Sequence, residues 1–224
     1  MSNSELKPKA AYSVLEERWN YGTHGIGAVL SAIGLCFLVQ RGISLADNWV
    51  LIGMTVFGIS MILMFTASTI YHWVSRVELK KQLRLLDHTA IYLLIAGSYT
   101  PFALGNLRNG YGIGIFILMW SLVLLGIAFK FSLRKKINSF RKLDVLLYTS
   151  MGCVALLFIK PIINSMPING FYWLLGGGLF YISGTFFYLK KSIPFNHAIW
   201  HGFVMGGTFC HFLAVLCYVN SPIV

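Results

Sequence analysis

The sequence predicts an all-α membrane protein, a seven-transmembrane helix bundle, and three observations carry that prediction. Hydrophobic residues make up 57% of the 224-residue chain and charged residues only 11%, with a mean hydropathy of +0.70. That balance is too apolar for an ordinary soluble domain. The apolar residues fall in runs of about 20, the length a helix needs to cross a bilayer. Lys and Arg crowd into every second connection between those runs, the pattern that sets orientation in a membrane.

In order, the runs cover roughly 23–41, 50–74, 85–105, 111–131, 143–163, 169–189 and 197–219. The first follows a segment of mixed charge and lacks a small-residue cleavage site, so it is expected to stay as a helix and not be removed as a signal peptide. Trp49 and Trp73 bracket the second, where amphipathic rings favour the interface. Pro101 and Pro161, near the ends of the third and fifth, are expected to kink or end their helices. Gly176, Gly177 and Gly178 in the sixth and the Gly202/Gly206 pair in the seventh let helices approach closely. Seven helices with short connections use nearly the whole chain, which reads as one domain over residues 1–224. Cys36, Cys153, Cys210 and Cys217 all fall in apolar runs without CxxC spacing and are expected to be packing residues, with no disulfide and no metal.

The formal net charge of +11 raises the question of nucleic acid, and the distribution of the charge answers it. One set of segments holds Lys7, Lys9 and Arg18, then Arg76, Lys80, Lys81 and Arg84, then Lys130, Arg134, Lys135, Lys136, Arg141 and Lys142, then Lys190 and Lys191. The other set holds only Arg41, Arg108 and Lys160. The positive-inside rule then puts the N-terminus in the cytoplasm and the C-terminus outside. Basic loops on that side suit an anionic inner leaflet, so membrane lipids are the expected partners and nucleic acid is not. The sequence names no protein partner. The chain is expected to be a multi-pass protein of a bacterial cytoplasmic membrane.

Polar residues inside membrane helices are costly and mark candidate sites. They concentrate here at the cytoplasmic helix ends: Glu17, Asn20 and His24; Ser68 and His72; Asp87 and His88; Asn196, His197 and His201. Residues four apart share a helix face, so "NYGTH" aligns Asn20 with His24, "STIYH" aligns Ser68 with His72, and "HAIWH" aligns His197 with His201. Three neutral imidazoles with one open position make a zinc site that brings the pKa of a bound water to about 7. His72, His197 and His201 are the expected ligands. The N-terminal end of the last helix disfavours a charged imidazole at His197 and leaves its lone pair for a metal. Asp87 is the expected proton acceptor and Ser68 a donor to a developing oxyanion. Glu17, Asn20 and His24 are expected behind the ligands, fixing imidazole tautomers. His211, ten residues past His201, lies about 15 Å deeper and off its face, and is expected to pack. His88 points off the face of Asp87.

The segments "EERWNYGTHGIG", "FTASTIYHW", "LRLLDHTAIYLLIAGSYTPF" and "NHAIWHGFVMGGTFCHF" together resemble the bacterial hemolysin III branch of the progestin and adipoQ receptor family, which is grouped with alkaline ceramidases among metal-dependent membrane hydrolases. The resemblance covers almost the whole chain. It implies seven helices with the N-terminus inside and zinc on His72, His197 and His201, with Ser68 and Asp87 as the family's serine and aspartate. Three functions compete at this point: a zinc-dependent hydrolase of lipid amides or esters acting in lipid homeostasis, a membrane sensor in which zinc is structural, and a cytolytic membrane protein. Charge-poor helices without a repeated polar stripe place the pore last.

Overall fold

The computed structural model describes residues 12–132 and 141–220, and among these the ordered elements are helices, with no strand. They are α1 (Val14–Ser44), α2 (Asn48–Trp73), α3 (Val77–Leu104), α4 (Ile113–Ser132), α5 (Arg141–Cys153), α6 (Ile159–Ile163), α7 (Ile168–Leu189) and α8 (Asn196–Tyr218). A π turn over Arg108–Gly112 leads into α4, and a 3-10 turn over Val154–Phe158 joins α5 to α6. Each predicted run lies in a helical stretch, but the fifth is broken into α5, the turn and α6. The described residues contain five stretches long and apolar enough to cross a membrane: Val14–Ser44, Asn48–Trp73, Arg108–Ser132, Lys142–Ile163 and Asn196–Tyr218. α3 is not among them because Glu78, Lys80, Lys81, Arg84 and Asp87 load its first half, and α7 because glycines dilute its apolar side chains.

α1 begins at a capping box that its sequence encodes: Ser13 accepts from the Glu16 amide at 3.2 Å while Glu16 accepts from the Ser13 amide at 2.8 Å. This fixes the helical phase that carries Glu17, Asn20 and His24. Below them α1 buries Gly27, Ser31, Gly34 and Gly42, a small-residue stripe against which α2 and α8 pack. A Cβ at Gly27 would stand 2.7 Å from the Phe65 ring. α2 starts at Asp47, whose carboxylate accepts from the Trp49 and Val50 amides and from Arg108 at 2.8 Å. It is the central helix, burying Val50, Met54, Phe57, Met61, Met64 and Phe65 against α1, α3 and α8. A second core of Tyr92, Ile115, Met119, Val123 and Met151 joins α3, α4 and α5.

The break in the fifth span frees backbone groups that a bilayer cannot satisfy, and Tyr99 of α3 meets them. Its hydroxyl lies 2.7 Å from the Gly152 carbonyl and 3.1 Å from that of Met151, and accepts from the Ala155 amide at 2.9 Å. Tyr99→Phe is expected to destabilise the protein by about 1–3 kcal/mol, the cost of unpaired buried polar groups. Thermal unfolding in detergent measures this, and an unchanged midpoint would mean that the break is satisfied from elsewhere.

The charge pattern assigns Lys130 to a basic loop, and the structure corrects that reading. Lys130, 2% exposed near the end of α4, turns inward to pair with Asp144 of α5, itself 1% exposed. His88 joins them, its Nδ1 3.4 Å from an Asp144 oxygen and 3.4 Å from Lys130 Nζ, and Tyr148 donates to the His88 carbonyl at 2.9 Å. His88 is thus part of a buried charge cluster linking α3, α4 and α5. Of the cysteines expected to pack in the core, Cys210 is buried and Cys153 half-buried, whereas Cys36 and Cys217 are exposed on the helix surfaces.

Candidate metal centre

Two helices, α2 and α8, deliver the three histidines. His72 stands one residue before the end of α2, and His197 and His201 occupy the first two turns of α8, sharing a face as their spacing requires. One potential ligand atom from each lies within 4.8 Å of the others. His72 and His201 are 2% and 1% exposed; His197 is half-buried, its ring covered by Tyr12 at 5.0 Å and Tyr188 at 5.7 Å.

The residues behind the rings fix how they present themselves. Glu17 lies 2.6 Å from His72 Nδ1, which therefore carries the proton and leaves Nε2 bare. His201 Nδ1 lies 3.1 Å from the Asn20 main-chain oxygen and 3.3 Å from Thr23 Oγ1, so the same tautomer follows there. Bare Nε2 lone pairs are the metal-binding form of imidazole. His72 Nε2 and His197 Nε2 stand 3.1 Å apart, close to the about 3.3 Å between two nitrogens that share a tetrahedral zinc. Two such nitrogens are held either by one shared proton or by a cation between them. The donor set, three imidazoles with no thiolate, fits an open site of the zinc type.

Lys80 of α3 completes the frame, pairing with Glu17 at 2.9 Å and donating to the Val74 carbonyl at 3.1 Å. Glu17 thus holds His72 on one oxygen and Lys80 on the other. Of the residues expected at the centre, the structure brings together His72, His197, His201, Glu17, Asn20 and His24. Ser68 is buried one turn before His72 on α2. Asp87 is half-buried on α3, outside the three-histidine group but within electrostatic reach of Tyr71, whose ring packs on His72 at 4.6 Å. His211 packs on Tyr181 and lies 3.3 Å from the Leu174 carbonyl, remote from the group, in the space left by Gly177. The sequence reading missed Tyr12, Thr23, Lys80 and Tyr188. Only Lys80 left a signal, standing two helical turns before Asp87.

The family model for haemolysin-III-related proteins matches residues 12–212, a stretch that contains every residue of the centre. The chain belongs to the haemolysin-III-related family. A hemolysin-3 homolog of Bacillus subtilis (strain 168) is 42% identical to this haemolysin-III-related protein over 207 residues, 92% of this chain and 96% of the relative. Hemolysin-3 of Bacillus cereus is 41% identical over 216 residues, 96% and 97% of the two chains. The human monocyte to macrophage differentiation factor is 28% identical over 232 residues, 99% of this chain and 90% of the relative. Membership and the apolar spans together make this haemolysin-III-related chain a multi-pass membrane protein.

Behind the rings, the Glu17 carboxylate orients His72, one of the three histidines that could hold a metal. Glu17→Gln is expected to weaken metal binding about 10- to 100-fold, measured by competition with a chromogenic chelator. Unchanged affinity would mean that Glu17 only anchors Lys80.

Proposed function

We infer that the protein is a zinc-dependent hydrolase of lipid amides or esters that works at the cytoplasmic face of the membrane. The observation that carries this reading is the three-histidine group, in which contacts at Nδ1 of His72 and His201 leave their Nε2 lone pairs bare. A structural zinc site closes its coordination with four protein ligands, whereas three leave a position for chemistry. Zinc held by His72, His197 and His201 would supply Lewis acidity and a hydrolytic nucleophile near neutral pH.

The chain's own residues divide the remaining work. Asp87 takes the proton of the attacking water and returns it to the leaving group. The water oxygen bonds to the acyl carbon, the C–N or C–O bond breaks, and the products are a fatty acid and an amine or alcohol. Ser68 donates to the oxygen on which charge develops. In this reading α3 and α7 also cross the membrane, the N-terminus is cytoplasmic and the C-terminus external. A reporter fused after Val224 is expected to read as external, and a cytoplasmic reading would remove the inner-leaflet site.

Lipid analysis of membranes from cells carrying the wild type or Asp87→Asn tests the function. A lipid amide or ester is expected to accumulate with the variant and fall with the wild type. Identical lipids, together with a clear defect in the histidine variants, would favour a sensor with structural metal. Among the relatives' names, hemolysin points to lysis of cells, and altered membrane lipids offer an indirect route to it.

A further inference from the structure

The end of the bundle opposite the metal centre is where α3, α6 and α8 finish. Asn106 donates to the Ser165 carbonyl at 2.7 Å, and the Asn220 amide donates to the Asn106 side-chain oxygen at 3.2 Å. Of the carboxylates in the described residues, Glu16, Glu17, Glu78, Asp87 and Asp144 belong to the helix ends on the side of the metal centre. Asp47 alone stands at the opposite end, and Arg108 takes it at 2.8 Å. Lys160, in the short α6 at that same end, has no ion-pair partner among the described residues.

A cleft of about 440 Å³ opens beside it, lined by Tyr111, Leu157, Phe158, Ile159, Lys160 and Pro161. That volume falls within the range of small-molecule sites, about 300–1,000 Å³. The cleft follows from the break in the fifth span: Pro161 has no N–H for the Leu157 carbonyl, so the helix cannot run regularly from α5 through α6. Tyr111 and Phe158 meet across it with ring centroids 5.8 Å apart. Its walls face lipid. Leu157 is 78% exposed and Tyr111 59%, both in stretches long and apolar enough to cross a membrane.

A lone cation set in an apolar, lipid-facing wall calls for an anion that brings its own apolar part. A lipid phosphodiester does so, because its charge meets an ammonium, its free oxygens accept from a phenol hydroxyl, and its acyl chains cover apolar side chains. A zwitterionic headgroup fits less well. It carries a cation of its own, and no carboxylate lines the cleft to receive it. We propose that the cleft at the break of the fifth span binds an anionic phospholipid, with Lys160 on the phosphate charge, Tyr111 donating to a phosphate oxygen, and the acyl chains against Leu157 and Phe158. No residue of the metal centre takes part, so this site stands or falls apart from the hydrolase reading.

Site-directed labelling by lipid tests it. Wild type, Lys160→Gln and Lys160→Arg are placed in phosphatidylcholine nanodiscs with a small fraction of either phosphatidylglycerol or phosphatidylcholine that carries a photoreactive diazirine high in one acyl chain. Labelled residues are mapped by mass spectrometry. In the wild type, residues 157–161 are expected to take about five-fold more label from the phosphatidylglycerol probe, the effect of one lysine on an anionic headgroup. Lys160→Gln is expected to abolish that excess and Lys160→Arg to keep it, since a guanidinium also binds phosphate. Label at the loop around Arg141 and Lys142 is expected to be the same in all three proteins. Excess inorganic phosphate is expected to leave the labelling of the cleft unchanged. Equal labelling of the cleft by both probes in the wild type, an excess that survives Lys160→Gln, or one lost equally in Lys160→Arg overturns the proposal. So does displacement by inorganic phosphate, which would make the cleft a site for a free anion.

Discussion

Replacing any one of His72, His197 or His201 by alanine is expected to reduce bound metal in the purified protein from close to one ion per chain to near zero, while His211→Ala leaves it unchanged. Two nitrogens cannot close a zinc site that three converge to form, and water competes for the vacated position. His211 is the matched control, since it sits on the same helix as His197 and His201 and is equally a histidine in an apolar stretch, yet it packs against α7 through Leu174 and Tyr181. The ligand variants should also unfold at lower temperature, because binding energy to the folded state is folding energy. Metal analysis by mass spectrometry on protein purified without added chelator gives the occupancy. Equal loss from His211→Ala would mean that the histidines act through packing.

The second large effect concerns the buried charges of α4 and α5. Among the described residues, Lys130→Met alone leaves the Asp144 carboxylate in an apolar bundle with His88 as its remaining ion-pair partner, and Asp144→Leu alone strands the Lys130 ammonium. Each single change is expected to cost about 3–5 kcal/mol, whereas the double variant should recover most of that loss, since an apolar pair of similar volume often substitutes for a buried ion pair without penalty. Chemical denaturation of all four proteins measures the coupling. Additive losses in the double variant would mean that Lys130 and Asp144 do not act as a pair in the membrane.

The three-histidine group was legible in part because helical spacing is enforced by covalent geometry. Ser68 with His72, His197 with His201, and Asn20 with His24 could each be placed on one face from sequence separation alone. The charge pattern put these faces at one level of the bundle, but that they meet did not follow from the sequence and is seen only in the fold. Lys130 shows where that logic stops. Sorting charges by segment cannot tell a lysine that snorkels out along its own stem from one that turns inward to meet a carboxylate a loop away. Lys80 was hidden in the same manner, counted as loop charge although its long side chain reaches Glu17 and the end of α2. The broken fifth span had only Pro161 as a marker, because the hydroxyl that makes the break tolerable belongs to Tyr99 on another helix.

Turnover by the purified protein tests the central claim most directly. Wild type and Asp87→Asn, reconstituted in vesicles and with metal content measured on the same samples, are given an N-acyl lipid, and release of free fatty acid is followed. The wild type is expected to release fatty acid, and Asp87→Asn to keep its metal while losing release to the background rate, because an amide at that position cannot take the proton of water. Metal retained in both proteins with no fatty acid released by either would contradict the account and leave the three histidines a structural centre.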